Sequence, residues 1–137
     1  MIEYLVNNAF GCLIYKNGKA IQYKGTNLSY IKKICLEHLF TFDGYMKAVQ
    51  KQYGKRYRIP LFVDELHMFI PIKRIRDYDN IWINFTAVAE FKELEQTIEV
   101  IFQSQQKLQL NISMKSLRKQ INHLEAIHNV KVKHFHF

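Results

Sequence analysis

Apolar side chains recur along this chain with two periods, alternate residues in some stretches and every third or fourth in others. Leu13, Ile14 and Tyr15 precede Asn17-Gly18, and Ile21 and Tyr23 follow it. Asn-Gly suits a two-residue type I′ turn, so an N-terminal hairpin is expected. The rhythm then lengthens. Leu28, Ile31, Cys35 and Leu39 lie at helical spacing after Asn27, which is expected to cap that helix, with Lys32 and Lys33 turned away. Thr41 and Asp43 offer the next cap, Tyr45, Val49 and Tyr53 recur every four residues, and Gly54 supplies a stop.

Three β-rich runs come next, 59–63, 68–72 and 81–88, and they predict a meander. Pro60 and Pro71 inside them favour strand starts or sheet edges over a central position. Ile98, Val100 and Phe102, then Leu108, Leu110 and Ile112, alternate on either side of a polar loop at 103–106 and predict a second hairpin. Ser113 is expected to cap a last helix with the stripe Met114, Leu117, Ile121 and Leu124. Asn129 would end it, leaving an alternating strand over 130–137. The fold class is α+β: a mostly antiparallel sheet built from hairpins and a central meander, with about three helices packed on it.

Composition narrows the class. The 137 residues are 48% hydrophobic, enough for one domain with a real core, and no linker, repeat or composition break divides them. The absence of a long apolar run or a secretory leader predicts a cytoplasmic protein with no membrane partner. Cys12 and Cys35 stand singly among apolar neighbours, without metal or redox spacing, and are expected to be reduced core residues.

Charge changes the picture more. Twenty Lys and Arg face 12 Asp and Glu, and a net charge of +8 on so small a body attracts polyanions, nucleic acid first. Residues 44–76 carry eight bases against Asp64 and Glu65, residues 77–99 six acids against Lys92, and residues 100–137 six bases against Glu125. An acidic segment lies between two basic ones.

The bases form three clusters. Lys47, Lys51 and Lys55 are spaced four apart on the second predicted helix, a self-repelling row continued by Arg56 and Arg58. That pattern fits a solvated helix end or a phosphate-contacting face. Lys73, Arg74 and Arg76 follow Pro71 on a predicted loop, where Arg suits bidentate phosphate contact and narrow minor grooves; an ordinary surface turn fits equally. Lys115, Arg118 and Lys119 gather opposite the apolar stripe of the last helix, as a solvated face would. Tyr30, Tyr45, Tyr53, Tyr57 and Tyr78 interleave with these bases as core residues or stacking platforms. Trp82, between Ile81 and Ile83, is expected in the sheet core.

Enzymatic chemistry finds little footing. His134 and His136 would share one face of the final strand, yet no Cys or carboxylate nearby completes a metal site. Asp77 and Asp79 lack the Gly and Glu of a calcium loop. His38, His67, His123 and His128 have no Ser or Cys at a recognisable spacing, and no nucleophile elbow, phosphate loop or zincin motif occurs. The expectation is no enzyme, no cofactor, no bound metal and no small-molecule substrate.

The order of several pieces resembles the ComK family. Ser29-Tyr30-Ile31-Lys32-Lys33-Ile34-Cys35 is followed by Phe42-Asp43-Gly44-Tyr45, then by Arg58-Ile59-Pro60-Leu61-Phe62-Val63, which is similar to the family's basic-x-Pro-Ile strand. Met68-Phe69-Ile70-Pro71-Ile72 and Asn80-Ile81-Trp82-Ile83-Asn84 complete the set, so the resemblance is carried by residues 29–90. The chain departs from the pattern at a missing Gly-Arg after the glycine step, at Ile72 for a common Thr and at Ile81 for a common Cys, and it is shorter than typical members. A divergent or second-copy paralogue would show such departures.

The resemblance implies a single DNA-binding domain that activates genes for natural DNA uptake. It implies binding to paired AT-rich promoter boxes largely through the minor groove, assembly as a homodimer or higher oligomer, association with the nucleoid, and delivery by an adaptor to a Clp-type protease. Three short basic clusters suit such a duplex better than one long recognition helix. The expected DNA-binding set is Lys47, Lys51, Lys55, Arg56, Arg58, Lys73, Arg74, Arg76, Lys115, Arg118 and Lys119, with the acidic Glu90, Glu93 and Glu95 facing a partner. Two other readings stay open: a paralogue that binds no DNA and acts as a hetero-oligomer partner or protease-adaptor decoy, and an RNA-binding module.

Overall fold

A computed structural model describes residues 1–54 and 57–135, which form nine strands and three α-helices. Strands β1 (Ile2–Asn8), β2 (Gly11–Lys16) and β3 (Lys19–Tyr23) open the chain, and helices α1 (Asn27–Glu37) and α2 (Phe42–Tyr53) follow. Strands β4 (Leu61–Asp64), β5 (His67–Pro71) and β6 (Ile81–Asn84) join β1–β3 in a six-stranded sheet of order β3-β2-β1-β6-β5-β4. Strands β7 (Val88–Glu93), β8 (Ile98–Phe102) and β9 (Lys107–Leu110) make a separate three-stranded sheet, and α3 (Met114–Phe135) closes the fold. All pairings are antiparallel, as the α+β expectation requires.

Neighbouring residues on β1 point to opposite faces and build two separate contacts. Leu5 pairs with Ile14 and Trp82, and Trp82 meets Phe42 of α2 edge-on at 6.2 Å. Tyr4 stacks on Tyr15 at 4.2 Å and on Phe102 of the second sheet at 5.5 Å. The larger sheet is therefore packed on both faces. Cys12 and Cys35 are buried and unlinked, as expected, and burial pushes both thiols up to about 11.

Local signals hold where the chemistry is local. Asn17 (φ 50°) and Gly18 (φ 79°) form the β2–β3 turn, both in the left-handed region that Asn-Gly tolerates. Thr41 Oγ1 accepts from Gly44 N–H to cap α2, and Gly54, at φ 84°, ends it. The meander and the second hairpin also form as the pattern predicts.

Six expectations need correction. First, α1 is capped by Thr26, whose Oγ1 accepts from Ser29 N–H; Asn27 lies buried inside the helix, donating its side-chain amide to Asn80 O at 2.7 Å. Second, the run 81–88 is no single strand, because Asn84 Oδ1 accepts from Thr86 N–H and turns residues 85–87 into a 3-10 segment. Third, the second hairpin does not extend the main sheet but forms its own with β7. Fourth, Pro71 ends β5, an interior strand; its missing donor costs little there because Ile72 N–H bonds Ile81 O. Pro60, in contrast, lies just before the edge strand β4. Fifth, β1 is an additional strand at the centre of the sheet, which carries no alternation because its first residues are buried on both faces.

The sixth concerns the C-terminal segment. Asn129 does not end α3, which continues to Phe135, so the strand predicted over 130–137 is helix as far as it is described. The turn beyond Asn129 docks instead: Lys131 Nζ donates to Phe62 O at 3.1 Å, and the preceding turn meets Tyr53, whose hydroxyl donates to Ala126 O. His134 is thus on a helix rather than a strand face, and His136 lies outside the described residues.

Candidate nucleic-acid interface

The basic loop between β5 and β6 is held from beneath. Asn80 is fully buried, and its Oδ1 accepts from Ile72 N–H at 2.9 Å and Lys73 N–H at 2.8 Å. Its own N–H donates to Asp77 O, and Asp77 N–H donates to Arg74 O. Asn7 donates to Tyr78 O and Gln120 of α3 to Pro71 O, so both ends of the loop are tied to rigid elements. These bonds satisfy the turning backbone internally and leave the side chains of Lys73, Arg74 and Arg76 exposed.

Tyr57 stands where the clusters meet. The residue is 62% exposed, and the Arg74 guanidinium lies over its ring, Cζ 5.0 Å from the centroid. On one side a cleft of about 380 Å³ runs between Tyr57, Lys47 and Gln50 of α2, and Ile75 and Arg76 of the loop, with Asp43 also on its wall. On the other a cleft of about 720 Å³ lies between Tyr57, Arg58 and the α3 residues Ser116, Lys119, Gln120 and His123. Arg58 Nη1 donates to Ser116 Oγ at 3.4 Å across it. Two clefts that share Tyr57 therefore bring together Lys47, Arg58, Arg76 and Lys119, and Arg74, which lines neither cleft, joins them through its place over the Tyr57 ring, so that four chain segments contribute to one rim.

The remaining expected residues divide. Lys51, Lys73, Lys115 and Arg118 are exposed, but neither cleft includes them. Lys55 and Arg56 lie outside the described residues. Among the described residues every side-chain ion pair joins a carboxylate to a histidine, so the rim cations have no acidic partner within 4.0 Å. Glu90, Glu93 and Glu95 are exposed on β7 and the turn after it.

Of the interleaved tyrosines, only Tyr57 and Tyr78 are exposed. Tyr45 is core: its hydroxyl donates to Pro60 O at 2.7 Å and accepts from Phe62 N–H, and burial pushes its pKa upward. Tyr30 packs edge-on against Tyr23, and Tyr53 against His123. Sequence reasoning missed Ser116 and Gln120, which position Arg58 and the loop. The available signal was their one-turn spacing on α3, on the same side as Lys119 and His123.

Comparison with known families sets the class first: a competence-related transcription factor, from a family of regulators rather than enzymes. The family model described as ComK protein matches residues 4–133, and the chain belongs to the ComK family. The match extends well beyond residues 29–90, taking in the N-terminal hairpin and most of α3. No curated protein and no solved structure matches the chain. Among the described residues no helix is long and apolar enough to cross a membrane.

Proposed function

We propose that this protein activates DNA-uptake genes by binding paired AT-rich boxes in duplex DNA, largely through the minor groove, with the rim around Tyr57 as its contact surface. The observation that carries the reading is the convergence of Lys47, Arg58, Arg74, Arg76 and Lys119, cations without a carboxylate partner among the described residues. A rim of this kind neutralises phosphates, and a narrow AT-rich groove concentrates the negative potential that Arg seeks. Lys51, Lys73, Lys115 and Arg118 extend the contact along the backbone, together with Lys55 and Arg56. A homodimer or larger assembly supplies the second half of a paired site, with Glu90, Glu93 and Glu95 toward the partner. The protein works in the cytoplasm at the nucleoid, and a Clp-protease adaptor sets its level.

The test is a gel-shift titration of a paired AT-box duplex. Arg74→Glu weakens binding at least about tenfold, about 1.4 kcal/mol, and unchanged affinity removes Arg74 from the site. Five neutralised phosphates give a slope of log K against log salt of about −4 to −5; a flat profile rejects the DNA reading.

A second reading draws on exposed apolar residues. Leu39 is 94% and Phe10 78% exposed, with Leu36 and Leu66 also outward, as a protein-binding paralogue without DNA affinity would have them. Size-exclusion chromatography with and without the duplex separates the two readings.

A further inference from the structure

His38 follows α1 as its C-cap, Asp64 ends β4 and His67 begins β5, so three separate element ends bring two imidazoles and a carboxylate together. His38 Nε2 is 3.1 Å from Asp64 Oδ2, and His67 Nδ1 is 2.7 Å from Asp64 Oδ1. One ligand atom from each residue lies within 4.8 Å of the other two. Asp64 Oδ1 also accepts from Leu66 N–H at 2.9 Å, which fixes the carboxylate in the turn.

The orientation of His38 carries the argument. Its Nδ1 lies 2.8 Å from Ile34 O. A carbonyl oxygen only accepts, so Nδ1 carries a proton, and Nε2 is the ring nitrogen that faces the carboxylate. A nitrogen and a carboxylate oxygen 3.1 Å apart are held by a positive centre between them, a role that a metal ion can fill. An imidazole whose far nitrogen donates to a backbone carbonyl is also the arrangement by which proteins orient metal-ligating histidines.

We propose that His38, Asp64 and His67 form a binding site for a divalent transition-metal ion of the Zn²⁺ class. Two imidazoles and one carboxylate are a borderline-soft donor set that suits Zn²⁺ and leaves one tetrahedral position for water; Mg²⁺ and Ca²⁺ prefer all-oxygen ligands. Ligand bonds of about 2.0–2.2 Å require only small side-chain shifts from the observed spacing. The side chains of His38 and Asp64 are 34% and 41% exposed, so the ion has a path from solvent. Bound there, it ties the end of α1 to the β4–β5 turn, whose Glu65 pairs with His128 of α3 at 2.9 Å.

Calorimetric titration of the full chain with ZnCl₂ gives one saturable site, and MgCl₂ gives none. His38→Gln and His67→Gln each weaken Zn²⁺ at least about tenfold, the low end of what even orienting partners cost, while His134→Gln/His136→Gln leaves the site intact. X-ray absorption of the Zn²⁺-loaded wild-type protein, which needs no variant to fold, shows imidazole scattering from two ligands. Absence of a one-to-one site overturns the proposal, as does unchanged affinity in His38→Gln/His67→Gln, or absorption without imidazole.

Discussion

Of the regions in which this molecule sets cations against aromatic rings, two differ sharply in what surrounds them. Between α2 and α3, Lys131 lies 4.7 Å from the ring centroid of Phe40, 5.0 Å from Tyr45 and 5.6 Å from Phe62, with its ammonium bonded to Phe62 O. Burial pulls its pKa below the ordinary lysine value, with Cys35 opposing the shift. At the rim, Arg74 has one exposed ring beneath it and open solvent beside it. The inner cation is consumed by the fold, whereas the outer ones keep their charge available to a ligand. Cation–ring proximity alone therefore does not mark a binding site; the second requirement is that donors remain unpaired after folding.

The sharpest way to break the comparison is Lys131→Ala, which removes three ring contacts and a charged hydrogen bond. It costs about 2–3 kcal/mol of stability by urea denaturation, and DNA affinity of the folded fraction stays constant. Lys131→Met, keeping the stem, recovers part of the loss. Alkaline pH acts next, again on the inner region. Cys12 and Cys35 have folded-state values of about 11 against a reference of 9.0, so the native state holds protons that the unfolded chain releases. Their contribution is whole below pH 9 and declines as pH rises toward 11, by about 1 kcal/mol per thiol at pH 10. Denaturation midpoints across pH 8–11 measure it, and Cys12→Ala/Cys35→Ala flattens the decline.

At the rim the pattern reverses. Lys47→Ala shifts stability by less than about 0.5 kcal/mol, but it lowers duplex affinity severalfold and reduces the salt slope by about one unit. Smallest of all is Lys107→Ala, an exposed side chain on β9 that lines neither cleft, which changes neither stability nor gel-shift affinity. A loss there equal to that of Lys47 would mean that net charge, rather than the rim, drives binding.

What the sequence discloses follows from how local the cause is. Asn17-Gly18, the Thr41 cap and Gly54 act within a few residues, and they appear as read. The end of α3 is not legible locally, because Asn129 and the Val-Lys alternation favour a strand, while docking of Lys131 on Phe62 holds the helix. Each basic cluster was legible, yet the meeting point at Tyr57 was not, because it joins α2, the β5–β6 loop and α3. The His38, Asp64 and His67 cluster was hidden for the same reason: the first of its members is 26 residues from the second, with α2 between them.

The position of β1 reaches into synthesis itself. Strand β1 is central, hydrogen-bonded to β2 on one side and to β6, some seventy residues later in the chain, on the other. A nascent chain on the ribosome carries β1 with one flank bare until residues 81–84 have emerged, an interval in which that flank is open to mispairing with other chains. Deleting residues 2–8 would remove the middle of the sheet, not an appendage of it.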